Sequence, residues 1–259
     1  MPITIQTMTK IQKSAVAIAL AALASVSSAA TVHVTFDANI FEGSGYDAVS
    51  IEFPNANPNG APIREYVAAG RFQGTGSNPQ GVLSSIFVDS LADLYMYCYD
   101  VYENVGHGWS VDYSINFSGD LPRTRDFLGA VNAVMNGNNP VQDPYAWLRP
   151  TNPYQGAAIQ IGIWESKYDT SNDWDLASGS FKAFPDNALT LSYYSTFRQA
   201  IGSTEALADK FVMTLEASGV QDMITGDPPN AVPEPGTLAL LTLALATMGM
   251  VRRKRARRQ

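Results

Sequence analysis

The chain has 259 residues, 46% of them apolar and 10% aromatic, with 20 glycines and 15 prolines; these are values of a folded, turn-rich protein and exclude a disordered one. Its net charge of −7 is unevenly spread, because residues 31–230 hold 9 basic against 23 acidic residues, a net of −14, while both ends are basic. So acidic a body argues against a nucleic-acid partner, which needs a positive surface to displace counterions, and against anionic membrane.

The first 30 residues read as a signal peptide. Lys10 and Lys13 precede the apolar run Ser14 to Val26, and Ser27-Ser28-Ala29-Ala30 supplies small residues for cleavage by signal peptidase before Thr31. The run is too short to span a bilayer. Residues 31–230 are then about 200 residues, enough for one exported globular domain.

Period-two alternation dominates residues 32–117 and predicts half-buried, antiparallel strands. Val32, Val34 and Phe36 alternate with polar neighbours, as do Val49, Ile51 and Phe53, and Val111, Tyr113 and Ile115. Turn-rich stretches such as 54–62 (PNANPNGAP) separate them. Within Leu94 to Tyr102 the same period puts Cys98 on the face of Leu94 and Met96, pointing to a core, with Tyr95, Tyr97 and Tyr99 on the other. Cys98 is the single cysteine, so no intramolecular disulfide forms, and a lone thiol bound for an oxidising compartment must be buried or capped.

The period changes after Pro122. Helices are expected over 123–135, with Phe127, Val131 and Val134 on one face and a stop at Asn136-Gly137; over 156–168, with Ala157, Ile161, Trp164 and Tyr168 as a stripe; and over 187–201 behind Asp186. Residues 210–216 read as a last strand closing the sheet, since Phe211, Met213 and Leu215 alternate, with a helix there as the alternative. The expected fold is therefore α+β, a β-rich antiparallel sheet or sandwich with helices inserted in the second half.

Standard catalytic machinery is absent from the sequence: there is no GxSxG elbow, HExxH or phosphate loop, and His33 and His107 lie in separate segments. No cofactor or metal is expected. Asp169, Asp173 and Asp175 in DTSNDWD lack the Gly and Glu of an EF-hand loop and read as a solvated turn. A small secreted carbohydrate-active enzyme would draw an acid/base pair from Asp100, Glu103 or Glu165. Gln160 and Trp164, four apart, share a helical face, which sets an amide beside an aromatic wall. From the residues alone, Cys98 reads equally as an inert buried thiol, Gln160 as a partly exposed helix residue and Trp164 as core.

The pair Tyr97-Cys98 and the segment Gln160-Ile161-Gly162-Ile163-Trp164 resemble the two signatures of the thioester domains of bacterial surface adhesins, a Tyr-Cys in an early strand and a later Gln-x-x-Ile-Trp. The resemblance implies an internal thioester between Cys98 and Gln160, formed with loss of ammonia, shielded by Trp164 and able to capture amine ligands at a surface. It implies an adhesin and not an enzyme.

The end of the chain carries Val232-Pro233-Glu234-Pro235-Gly236, the apolar run Thr237 to Val251, and the basic stop 252–258 that begins Arg252-Arg253-Lys254-Arg255. Fifteen residues at helical rise give about 23 Å, a short span of the inner membrane. The basic cluster stays cytoplasmic, which puts the body on the far side. Residues 231–259 resemble the PEP-CTERM sorting signal of Gram-negative bacteria that make exopolysaccharide. The resemblance implies cleavage near Pro233-Glu234-Pro235 by the membrane transpeptidase exosortase, transient anchoring, and delivery to the cell surface or extracellular matrix, where a polysaccharide is a possible partner.

Overall fold

The computed structural model describes residues 30–82, 87–137, 143–171 and 173–226. Both expected targeting segments, 1–30 except its last residue and 231–259, lie outside them. Ala29–Asn230 forms one compact unit. Among the described residues no helix is long and apolar enough to cross a membrane; the expected span 237–251 lies outside them.

Among the described residues, nine strands build two antiparallel sheets. Strands β1 (Thr31–Phe36), β4 (Phe72–Gln80), β5 (Leu94–Cys98), β9 (Val220–Thr225), β8 (Met213–Ala217) and β6 (Ser110–Asn116) close, in that order, into a barrel. The smaller sheet runs β3 (Ile63–Gly70), β2 (Tyr46–Phe53), β7 (Lys182–Pro185). The α+β class with antiparallel sheets is as expected; the expected sheet or sandwich takes the form of a closed barrel beside a three-stranded sheet. Closure removes the exposed edges that an open six-stranded sheet would leave.

The alternation in β1, β2 and β6 translates directly into burial. Val32, Val34 and Phe36, Val49, Ile51 and Phe53, and Tyr113 are all buried, while their neighbours are partly or fully exposed. Strand β4 breaks that rule because it is mostly glycine and polar. A Cβ on Gly74 would come within 2.8 Å of the Thr35 carbonyl oxygen, so glycine lets β4 approach β1 closely. Residues 210–216 do not end the sheet: 209–211 is a short 3₁₀ turn, β8 starts at Met213, and β9 follows to complete the barrel between β8 and β5.

Three helices follow the expected periodicity: α1 (Pro122–Met135), α2 (Pro153–Tyr168) and α3 (Ala188–Ala200). Proline at the first turn starts α1 and α2, and Asn152 and Asn187 cap α2 and α3 by accepting from Gln155 N and Leu189 N. Helix α2 packs against α1 and α3 as well as β2 and β3. Consequently its residues 155–166 are buried all round and not along one stripe. A central helix of this kind can pass a side chain from the helical layer to the barrel.

Candidate functional site

The site begins with a gap in a strand ladder. Strand β4 starts at Phe72, opposite Met96 of β5, whereas β9 continues beside β5 through Tyr97 and Cys98. In an antiparallel strand, alternate residues turn their N–H and C=O to alternate sides. Cys98 therefore points both backbone groups, like Met96, to the β4 side, where β4 has ended. Gln160 of α2 fills the vacancy with its side chain: Cys98 N–H donates to Gln160 Oε1 at 2.9 Å, and Gln160 Nε2 donates to the Cys98 carbonyl at 2.8 Å. The amide stands in for the peptide of a missing rung, and its donor and acceptor ends are fixed by the two bonds.

Both residues are buried, Cys98 at 3% and Gln160 at 0% exposure. A partly exposed Gln160, open from the residues alone, is overturned. Burial, with the Asp100 charge adding to it, raises the thiol pKa well above its ordinary value, so Cys98 is a neutral thiol. The flanking tyrosines turn the other way, as alternation requires. Tyr97 stacks on Trp147 and donates to its carbonyl at 3.1 Å, and Tyr99 donates to or accepts from Thr124 Oγ1 at 3.4 Å.

A hollow of about 350 Å³ opens on Cys98, lined also by Trp164, Asp100, Glu103, His107, Glu65 and Tyr66. Trp164 is 4% exposed and packs on Phe181 with ring centroids 6.4 Å apart. The sequence brings Cys98, Gln160 and Trp164 together as a motif, and the fold puts the first two in hydrogen bond and the third in the same hollow. It gave no sign of Glu65, Tyr66 or His107, which arrive from distant loops and strands. His107 accepts from Ile40 N–H at 3.3 Å, while His33 pairs with Asp112 at 2.7 Å across β1 and β6.

The three carboxylates considered for acid/base work do not form one constellation. Asp100 accepts backbone N–H bonds from Tyr102, Glu103 and Asp222 at 3.1, 3.1 and 2.6 Å. Among the described residues, Asp100, Glu103 and Asp222 are the carboxylates close enough to share a cation, yet the Asp100 oxygens are already taken by the turn they brace. Burial raises Asp100 and Asp222 and lowers Lys167, whose ammonium faces them.

Glu165 lies outside that cluster and is not exposed: it is fully buried, neither oxygen has a hydrogen-bond partner among the described residues, and Arg123 Nη2 lies 3.7 Å away. Burial first, then the Asp169 charge, pushes its pKa up to about 8. Asp169 is buried too, so the 169–175 loop is a solvated turn only at Asp173 and Asp175, whose oxygens accept from Asp175 N and Ala177 N. Trp174 takes φ +53 there, a conformation bulky side chains rarely adopt. It is held by stacking on Phe127, by the Arg123 guanidinium 4.1 Å from its ring, and by Tyr194, which donates to its carbonyl.

Residues 231–255 match the family model described as the PEP-CTERM protein-sorting motif. The tail is thus the sorting signal of an exported protein that exosortase processes for the cell surface or extracellular space. No curated protein and no solved structure matches the chain.

Proposed function

We propose that this protein is a covalent surface adhesin whose working bond is an internal thioester between Cys98 Sγ and Gln160 Cδ. The observation that carries the reading is the two-point clamp of the Gln160 amide on the Cys98 backbone, in a buried site that opens on one hollow. In the forming step Sγ bonds to Cδ, the Cδ–Nε2 bond breaks, and the thiol proton leaves with the nitrogen as ammonia. In the capture step an amine attacks Cδ, the Cδ–Sγ bond breaks, and the proton the amine sheds returns to sulfur. Cys98 N–H, 2.9 Å from Oε1, is aimed at the oxygen that gains charge in both tetrahedral intermediates, which is how an oxyanion donor works. Trp164 and the surrounding core exclude the water that would otherwise hydrolyse the bond. A pre-activated acyl group suits an exported protein without a nucleotide supply.

Intact mass of the native protein tests this. The expected mass is one ammonia below the sequence, with resistance to thiol alkylation and an adduct with methylamine. Gln160→Ala should abolish all three, and Cys98→Ala, which has no thiol to alkylate, should abolish the mass loss and the adduct. A native protein of full sequence mass whose thiol alkylates at the unfolded rate would refute the reading. The carbohydrate-active alternative has less support, since Asp100 is held in a backbone turn and Glu165 does not line the hollow.

A further inference from the structure

A second hollow, about 660 Å³, lies on the outer face of the β3–β2–β7 sheet. The strand register lays two rows of side chains across that face. Tyr66, Ser50 and Phe184 are direct cross-strand neighbours, and Arg64, Glu52 and Lys182 form the next row on the same side. In the first row a small residue separates two aromatics whose backbones stand two strand spacings apart, about 10 Å. Tyr66 is 65% and Phe184 51% exposed.

Tyr66 leans over β2 instead of standing up from it. Its hydroxyl donates to Asp186 Oδ2 at 2.5 Å, and Asp186 is the residue whose N–H reaches Ala48 on β2. The ring is thus stretched across the sheet with a face to solvent. In the second row Glu52 accepts from Arg64 Nε and Lys182 Nζ, each at 2.7 Å. The other N–H groups of Arg64 and Lys182 have no protein partner among the described residues.

We propose that this face is a docking platform for an extended polysaccharide bearing free amino sugars, and that it delivers the amine to Cys98. Flat aromatic faces spaced along a sheet meet the apolar faces of pyranose rings, and the Arg64–Glu52–Lys182 rail meets their hydroxyls. An extended peptide would instead seek a strand edge, where backbone groups are free. An exposed aromatic surface rimmed by polar groups on an exported domain is the mark of an interaction site.

The amino sugar follows from charge. Ile51, Glu65 and Tyr66 line both hollows, and the carboxylates of the inner one, Glu65, Asp100 and Glu103, stand beside His107 with neither Lys nor Arg in the lining; Lys167, outside it, offsets the Asp100 charge in part. A cationic sugar is drawn past Tyr66 towards Cys98, whereas a neutral or anionic one is not. Delivery rests on the covalent-capture reading; docking does not. In the bond-forming step the delivered ammonium first releases one proton to solvent, the free sugar amine attacks Gln160 Cδ of the thioester, Cδ–Sγ breaks, and the second proton shed by the nitrogen passes to the Cys98 sulfur.

The test titrates the secreted protein and its Cys98→Ala, Tyr66→Ala and Phe184→Ala variants with a glucosamine hexamer, its N-acetylated counterpart and a lysine-rich peptide. Cys98→Ala should still bind the glucosamine hexamer reversibly, and adding Tyr66→Ala or Phe184→Ala should weaken that binding at least tenfold with an unchanged circular dichroism spectrum. The wild type should form a covalent adduct with the glucosamine hexamer and none with the N-acetylated one. Binding and adduct rate unaffected by both aromatic variants, or a peptide adduct that forms as fast as the sugar adduct, would overturn the platform. Tyr66-dependent sugar binding without any methylamine adduct would uphold the platform and sink the capture chemistry instead.

Discussion

Gln160 closes an open strand edge with the same amide that the proposed thioester formation would consume. In that proposed step, loss of Nε2 as ammonia would take the donor from the Cys98 carbonyl, while Oε1 would remain to accept from Cys98 N–H. Before that step both bonds are buried, and removing the amide strands two backbone groups, a loss of about 3 kcal/mol. Gln160→Ala should therefore destabilise the unreacted protein by about that amount in urea unfolding. Cys98→Ala, which keeps both backbone bonds and deletes one small atom, should cost about 1 kcal/mol. Equal losses would mean that the amide clamp contributes nothing beyond packing. Glu165 gives a second residue-level outcome. Its folded pKa, about 8, stands above its ordinary 4.5, so the native state keeps a proton that the unfolded chain releases in between. Its stabilising contribution is complete below about pH 4.5 and is lost as pH rises through 8. Glu165→Gln should flatten that decline and raise stability above pH 8 by a few kcal/mol, measured as unfolding midpoints at each pH.

Helix α2 carries Gln160 to the barrel, and its position depends on how closely α1 can approach. A Cβ at Gly162 would fall 1.9 Å from the Phe127 ring, which is fully buried and enclosed by Trp174, Tyr194 and Phe197. Such a ring has nowhere to move. Gly162→Ala should cost about 1–3 kcal/mol despite the gain in helix propensity, and the displaced helix should lower the fraction of chains that lose ammonia. Full ammonia loss with unchanged stability would show that α1 yields freely. These helices were legible because their apolar spacing and their Asn and Pro starts are local signals, as was the alternation of β1, β2, β5 and β6. Strands β3, β4, β7 and β9 were not read. In β4 the glycines that permit close packing erase the apolar pattern, and β3 lies at the edge of its sheet, with Arg64, Glu65 and Tyr66 exposed. Barrel closure depends on β9 meeting β5, a contact between residues more than a hundred positions apart, which no local period encodes. The Cys98–Gln160 pairing was legible only as a two-part motif. Its physical cause, the early end of β4 beside Cys98, is a tertiary fact.

The chain divides its tasks by charge as well as by sequence. The acidic body, net −14 over 31–230, repels anionic lipid and draws cations, while the basic residues after 251 oppose translocation of the tail. The residues of the proposed capture chemistry all fall within 30–226, and the sorting motif within 231–255, so the two functions should be separable by mutation. Replacing Pro233, Glu234 and Pro235 with alanine should leave the full tail on the exported chain and keep it in the membrane fraction of cells that contain exosortase. The wild type should lose the tail and pass to the surface or medium. Ammonia loss and methylamine reactivity should be equal in the two, because they require only that Cys98 and Gln160 meet in a folded body. Intact-mass analysis of both fractions reads the two outcomes at once. A motif variant released with the wild-type mass would refute the sorting role of the three residues. One retained at the membrane with an alkylatable Cys98 would show that thioester formation depends on processing, contrary to a chemistry contained in the body.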